Sequence, residues 1–287
     1  MAQRVLLLRT PASPPETDPY EAALTRASFR PLSLPVLETV LENVDRLSRI
    51  IRGEDEGRVD AVIVTSARAV DACANAGVDT DWRAVRFYVV GHATAAALAR
   101  LRTPPQDVRG MECGTAERLA RYIVGDARRE ERLLYLTGDK NRETLARVVR
   151  EGLGEEGVLR ELRVYATRGV GDFEGRLSRA LEGETVEDGE RWWIVFFAPS
   201  AAAHAMPALR AHFSMAAREG WRDDGLGRGR AQARVAAIGG TTGDYLSEHV
   251  GLIVDAVAER PSGESLTAAL IQHSLDNGQH RQRSKMN

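Results

Sequence analysis

Seven hydroxyl residues in this 287-residue chain, Ser66, Thr94, Thr115, Ser200, Thr241, Thr242 and Ser262, stand at turns that open helix-like patterns, with Gly, Ala and Pro around them. Turns of this kind suit anions, because the first amides of a helix have no partner inside it and the helix dipole favours negative charge. One such terminus contributes only about 0.3–1 kcal/mol at an exposed site. Several acting on one ligand, with charge-assisted hydrogen bonds of about 1.5–3 kcal/mol each, could hold a multiply charged carboxylate. For any single residue the alternative is that it caps its own helix. For the whole set, an acidic small-molecule ligand is the better reading.

Other chemistries lack their motifs. GLGEEG (152–157) has the string of a dinucleotide loop, but it follows a helix pattern instead of a strand, and Glu155 and Glu156 would repel a pyrophosphate. GDKNRE (138–143) lacks the spacing and the hydroxyl of a phosphate loop, and no G-x-S-x-G elbow occurs. The six histidines show no zinc-binding spacing, so no metal and no cofactor are expected. His92 lies in a strand-to-helix turn, where ligand contact and plain solvation are both open.

The elements that must position these turns are legible from short apolar runs: VLLL (5–8), AVIVT (61–65), RFYVVG (86–91), RLLYLTG (132–138), WWIVFF (192–197) and RVAAIG (234–239). They are continuous instead of alternating, which predicts strands of parallel sheets buried on both faces. Helix patterns follow them, most clearly after Gly114, where Ala116, Leu119, Ala120, Ile123 and Val124 form one stripe behind Thr115 as N-cap. The class is therefore α/β. Ligands of such sheets bind outside the carboxyl ends of the strands, where the seven hydroxyl residues fall.

The arrangement occurs twice in the same order: TSARAV, VVGHATAAAL and CGTAERLARYI, then APSAAAH, AIGGTTGDYL and RPSGESLTAALI. This predicts two similar α/β domains. Residues 30–40 and 158–167 are β-like but outside the rhythm, and predict a two-stranded ladder through which the chain leaves one domain and returns. The first domain is then discontinuous, 1–33 plus 168–287, with 34–167 inserted as the second. Stretches 181–190 and 219–232 read as surface loops, and the last twelve residues have nothing to bury and should be frayed.

Composition narrows the partners. The formal net charge is −2 and no basic stripe with aromatics occurs, so nucleic acid is not expected. No apolar run is long enough for a membrane span or an export signal. The two cysteines, Cys73 and Cys113, form no C-x-x-C and read as small buried hydrophobes in a reducing compartment. A cytoplasmic monomer is expected.

Several segments carry a resemblance to a known family. TSARAV, VVGHATAAAL, LTGDKNRETL (136–145), RVYATR (163–168), FFAPSAAAH (196–204) and AIGGTTGDYL, followed by ERPSGESLTAAL (259–270), resemble uroporphyrinogen-III synthases, in order and over nearly the whole chain. The chain departs from the family where Gly239-Gly240-Thr241-Thr242 replaces the frequent Gly-Pro-Thr-Thr, and Phe197-Ala198-Pro199-Ser200 the frequent Thr-Ser-Pro-Ser. The resemblance implies two α/β domains joined by a two-stranded β-ladder, with the active site in the interdomain cleft. It implies a cofactor-independent cyclisation of hydroxymethylbilane, a linear tetrapyrrole with eight carboxylates, losing water and inverting ring D to give uroporphyrinogen III for haem and related tetrapyrroles.

On that reading Tyr165, in RVYATR, is the candidate general acid and matches the tyrosine suspected in the family; the alternative is a packing tyrosine at the domain junction. Substrate-binding candidates are Arg9, Ser66, Thr94, Thr115, Lys140, Arg142, Ser200, Thr241 and Thr242. Lys140 and Arg142 follow a strand end and could pair substrate carboxylates or remain solvated. Arg9 ends the first strand, and Arg68 divides evenly between site and surface. A different class also fits composition and architecture: a two-domain binding protein that captures an acidic small molecule without chemistry.

Overall fold

The computed structural model describes residues 3–13, 18–55, 57–77, 82–154, 159–182, 191–219 and 231–286, the last segment with side chains to 275. The chain begins with β1 (Arg4–Leu8), α1 (Pro19–Arg26) and β2 (Arg30–Ser33). It passes through β3 (Leu37–Leu41) into α2 (Val44–Ile51), β4 (Ala61–Val64), α3 (Ala67–Ala76), β5 (Arg86–Val89), α4 (His92–Leu98) and β6 (Asp107–Arg109). There follow α5 (Ala116–Asp126), β7 (Leu133–Gly138), α6 (Thr144–Leu153) and the long β8 (Leu159–Gly169). It continues with α7 (Phe173–Leu181), β9 (Trp192–Phe196), α8 (Pro199–His212), β10 (Phe213–Met215) and β11 (Ala231–Ala237). It closes with α9 (Gly240–Glu248), β12 (Ala256–Val257) and α10 (Gly263–Met286).

Two compact units result: Met1–Glu38 with Gly169–Asn287, and Thr39–Arg168. The sheet of the first unit has the order β10-β11-β9-β1-β2, with β12 also on β11, and its pairs are parallel. The sheet of the second has the order β3-β8-β7-β4-β5-β6, parallel from β8 to β6.

Both sheets are buried on two faces for the reason the apolar runs imply. Successive strand residues point to opposite faces. In the first unit Leu6, Leu8, Ile194 and Phe196 enter one core cluster, while Val5, Leu7, Trp193 and Val195 enter the other. In the second, Val62, Val64, Phe87 and Leu134 pack on one face, and Ala61, Ile63, Tyr88 and Tyr135 on the other. Truncating any of the fully buried leucines to Ala would cost about 2–5 kcal/mol.

Three expectations need correction. Residues 30–40 are not one ladder strand, because Pro35 has no N–H to donate and splits the segment. β2 joins β1 in the first sheet, and only β3 lies beside β8. The latter two run in opposite directions: the Glu42 N–H donates to the Val164 carbonyl, and that of Val170 to the Val36 carbonyl, both at 2.9 Å. Cys73 is buried as expected, but Cys113 is only partly so. Finally, α10 continues to Met286, so residues 276–286, expected to be frayed, are helical. The expected loops at 181–190 and 219–232 fall mostly outside the described residues, as does the end of GLGEEG; Ala231 and Gln232 belong to β11.

Candidate functional site

In the second unit, β4, β5, β7 and β8 bring their carboxyl ends to one edge of the sheet. Ser66 caps α3, its hydroxyl accepting the Arg68 N–H at 3.1 Å. Thr115 caps α5 in the same way, accepting from the Arg118 N–H at 3.3 Å. For these two hydroxyls the structural use foreseen as the alternative is realised. Thr94 stands not in a turn but at the third position of α4, only 5% exposed, behind the N-cap Gly91. His92 opens that helix, exposed, with its Nε2 3.2 Å from the Glu112 carboxylate.

Tyr165 gains its place from an irregularity. The β7–β8 register pairs Thr137 with Arg163 and then Gly138 with Tyr165, skipping one residue of β8. Such bulges re-aim side chains. The Tyr165 ring lies against Gly138, where a Cβ would meet the far end of the ring and displace it. The backbone closes the contact, with the Asp139 N–H donating to the Tyr165 carbonyl at 3.2 Å. The Arg68 guanidinium sits 5.8 Å from the ring centroid, within cation–π range. Lys140 and Arg142 follow in the β7–α6 loop, both exposed, and neither forms an ion pair among the described residues. The sheet edge thus presents a phenol and three cationic side chains, an arrangement able to deliver a proton beside bound carboxylates.

One residue of this edge escaped the sequence reading. Tyr135, 1% exposed in the middle of β7, donates its hydroxyl to Asn141 Oδ1 at 2.8 Å and meets Thr65 Oγ1 at 3.4 Å. Burial pushes its pKa up. Its only signal in sequence is a polar atom inside the apolar run LLYL.

The first unit builds its edge differently. Arg9, after β1, pairs with Asp18 at 2.6 Å, and the side chain of Asp18 is fully buried. The guanidinium also lies over the rings of Tyr20 at 4.8 Å and Phe197 at 5.5 Å. Asp18 caps α1 by accepting from the Tyr20 and Glu21 amides, and it also accepts from the Ala12 amide at 2.7 Å. Burial pushes its pKa up, but the bonds from Ala12, Arg9 and Glu21 outweigh it and hold the carboxyl below its ordinary range. Ser200 is exposed at the second position of α8, behind Ala198 and Pro199. Thr241 is exposed and Thr242 5% exposed, at the second and third positions of α9, whose N-cap is Gly239. Thr242 therefore repeats the placement of Thr94. Ser262 accepts from the Ser265 amide at 3.2 Å at the start of α10.

Among the described residues no group of three or more His, Cys, Asp or Glu side chains could hold a metal, and no helix is long and apolar enough to cross a membrane. Fold and site together define a class: two α/β units whose parallel strands end in hydroxyl- and glycine-bearing turns suited to an acidic ligand. The comparisons narrow the class to one family. The family model described as Uroporphyrinogen-III synthase HemD matches residues 18–268. A uroporphyrinogen-III synthase of Schizosaccharomyces pombe is 25% identical over 282 residues, covering 95% of this chain and 98% of that protein. The crystal structure of uroporphyrinogen-III synthetase from Helicobacter pylori shares the fold with a TM-score of 0.51 at 16% identity, covering 95% of this chain and 99% of that one. The chain belongs to the uroporphyrinogen-III synthase family, enzymes of tetrapyrrole biosynthesis.

Proposed function

We propose that this enzyme acts as a cyclising lyase, closing hydroxymethylbilane to uroporphyrinogen III with loss of water and inversion of ring D, and that Tyr165 is its general acid. The pyrrole nitrogen lone pair can expel the terminal hydroxyl, leaving an azafulvene cation. A proton from the Tyr165 phenol lets that hydroxyl depart as water. Ring D is attacked through its substituted carbon, and the spiro intermediate fragments and recloses. The proton lost when the pyrrole regains aromaticity returns to the phenolate. Because the open bilane also closes unaided to the uninverted isomer, holding the chain in the productive conformation matters more than acid–base power.

In this reading Lys140 and Arg142 pair substrate carboxylates, and Ser66, Thr94, Thr115, Ser200, Thr241 and Thr242 mark helix starts whose backbone amides suit such carboxylates. Arg9 contributes through its remaining guanidinium donors. The observation that supports the reading is the Tyr165 phenol seated on Gly138, at the start of the loop whose Lys140 and Arg142 form no ion pair among the described residues. We also read the chain as a monomer and as cytoplasmic, the second supported by its two free cysteines. The test is incubation of the purified protein with freshly generated hydroxymethylbilane and separation of the product isomers. Predominant type III ring is expected; type I alone would mean that the protein holds its ligand without directing the closure.

A further inference from the structure

A tyrosine hydroxyl buried in hydrocarbon has to find partners. Tyr135 finds them in two different strand-end segments. Its proton goes to Asn141 Oδ1 at 2.8 Å, so the Thr65 hydroxyl, at 3.4 Å, is left to donate to the phenol oxygen. Thr65 directly precedes the N-cap of α3, and Asn141 lies between Lys140 and Arg142. The chain of contacts continues from Asn141 Nδ2 to Glu161 Oε2 at 3.5 Å, and the other Glu161 oxygen accepts from Arg150 at 2.8 Å. On its opposite side the same loop is tied to Tyr165 through Gly138 and the Asp139 amide. Residues 138–142 are therefore bracketed by two tyrosines, one reaching the sheet edge and one enclosed beneath it.

We propose that Tyr135 is a positioning residue, which anchors the β7–α6 loop so that Lys140 and Arg142 are held in place for the substrate carboxylates. The proposal rests on the functional reading above. A long cation on a loose loop must be ordered when it binds; a loop already pinned at its centre avoids that cost. The buried ring supplies packing, and the hydroxyl supplies the anchor.

Tyr135→Phe separates the two, keeping the ring and removing the anchor. KM for hydroxymethylbilane should rise about fivefold, the scale of one neutral hydrogen bond, with kcat unchanged. Amide exchange at Asp139 and Asn141 should quicken by a similar factor. Asn141→Ala, which alters only an exposed loop residue, should reproduce both effects even where Tyr135→Phe folds poorly. The double variant should be no worse than the larger single one, since both remove the same bond. Unchanged KM and exchange in Tyr135→Phe would overturn the proposal, and so would a fall in kcat at constant KM, which would put the hydroxyl in the chemical step. The exchange measurement needs no turnover. Should the wild type give no type III ring, the functional reading falls, while exchange still decides whether Tyr135 anchors the loop.

Discussion

The two units end their parallel sheets in matching turns but use arginine and tyrosine in opposite ways. In the first, Arg9 is locked to the buried Asp18 between Tyr20 and Phe197, a cluster that ties β1 to the start of α1. In the second, Lys140 and Arg142 stand exposed with no carboxylate partner among the described residues, and Tyr165 is brought to the edge by a register skip. Where the turns are alike, as at Gly91 with Thr94 and Gly239 with Thr242, the shared feature is a helix whose cap has no side chain, and neither threonine serves as the cap. A duplicated scaffold can thus divide its labour: one edge invests its charges in holding itself together, and the other leaves them available.

That division predicts contrasting outcomes for matched substitutions. Gly138→Ala should have the largest effect, because the added methyl meets the Tyr165 ring and hydroxyl and displaces them. Turnover should fall by about a thousandfold while the unfolding midpoint moves little, combining loss of an acid with loss of orientation. Steady-state kinetics beside a thermal melt would check it. The mirror case is Asp18→Ala, which leaves Arg9 without its partner. It should lower stability by about 2–3 kcal/mol, and in the protein that stays folded it should alter KM, through the released Arg9, more than kcat.

Asp18 also sets a pH signature. Its folded pKa lies below the ordinary 3.8, so its stabilisation is present above that value and is lost as pH falls through the lower folded value. Acid unfolding of Asp18→Asn should therefore show a shallower loss of stability below about pH 4 than the wild type.

Smaller effects sharpen the same contrast. Lys140→Ala and Arg142→Ala should each raise KM about three- to tenfold at low ionic strength, less at high salt, and leave stability within about 0.5 kcal/mol. Thr94→Val and Thr242→Val should resemble each other, each costing about 1 kcal/mol or less. A large disparity in denaturant midpoints between them would show that the repeated turns are not equivalent.

The strands were legible because VLLL, AVIV and WWIVF are continuous apolar runs that only a sheet covered on both faces accommodates. Pairing was harder to foresee. Pro35 divides a segment that reads as one strand, and β6, β10 and β12 are two or three residues long, too short to show a period. At the site, Lys140 and Arg142 could be nominated from their position after a strand run, and Tyr165 from the connecting strand and the family resemblance. The pairing of Arg9 with Asp18 could not, because it joins two residues nine apart that no periodic pattern connects. Tyr135 stayed hidden because an apolar run with one phenol reads as core, and its partner Thr65 meets it only once β4 and β7 are adjacent.

The central claim is that chemistry belongs to the edge of the second unit, and Tyr165→Phe tests it most directly. Product isomers and turnover from fresh hydroxymethylbilane would be compared with the wild type at equal folded concentration. The account predicts an intact fold and a turnover about a hundredfold lower, with uninverted type I ring accumulating as spontaneous closure overtakes the enzyme. Wild-type turnover with wild-type isomer ratio would contradict it, leaving Tyr165 a packing residue against Gly138.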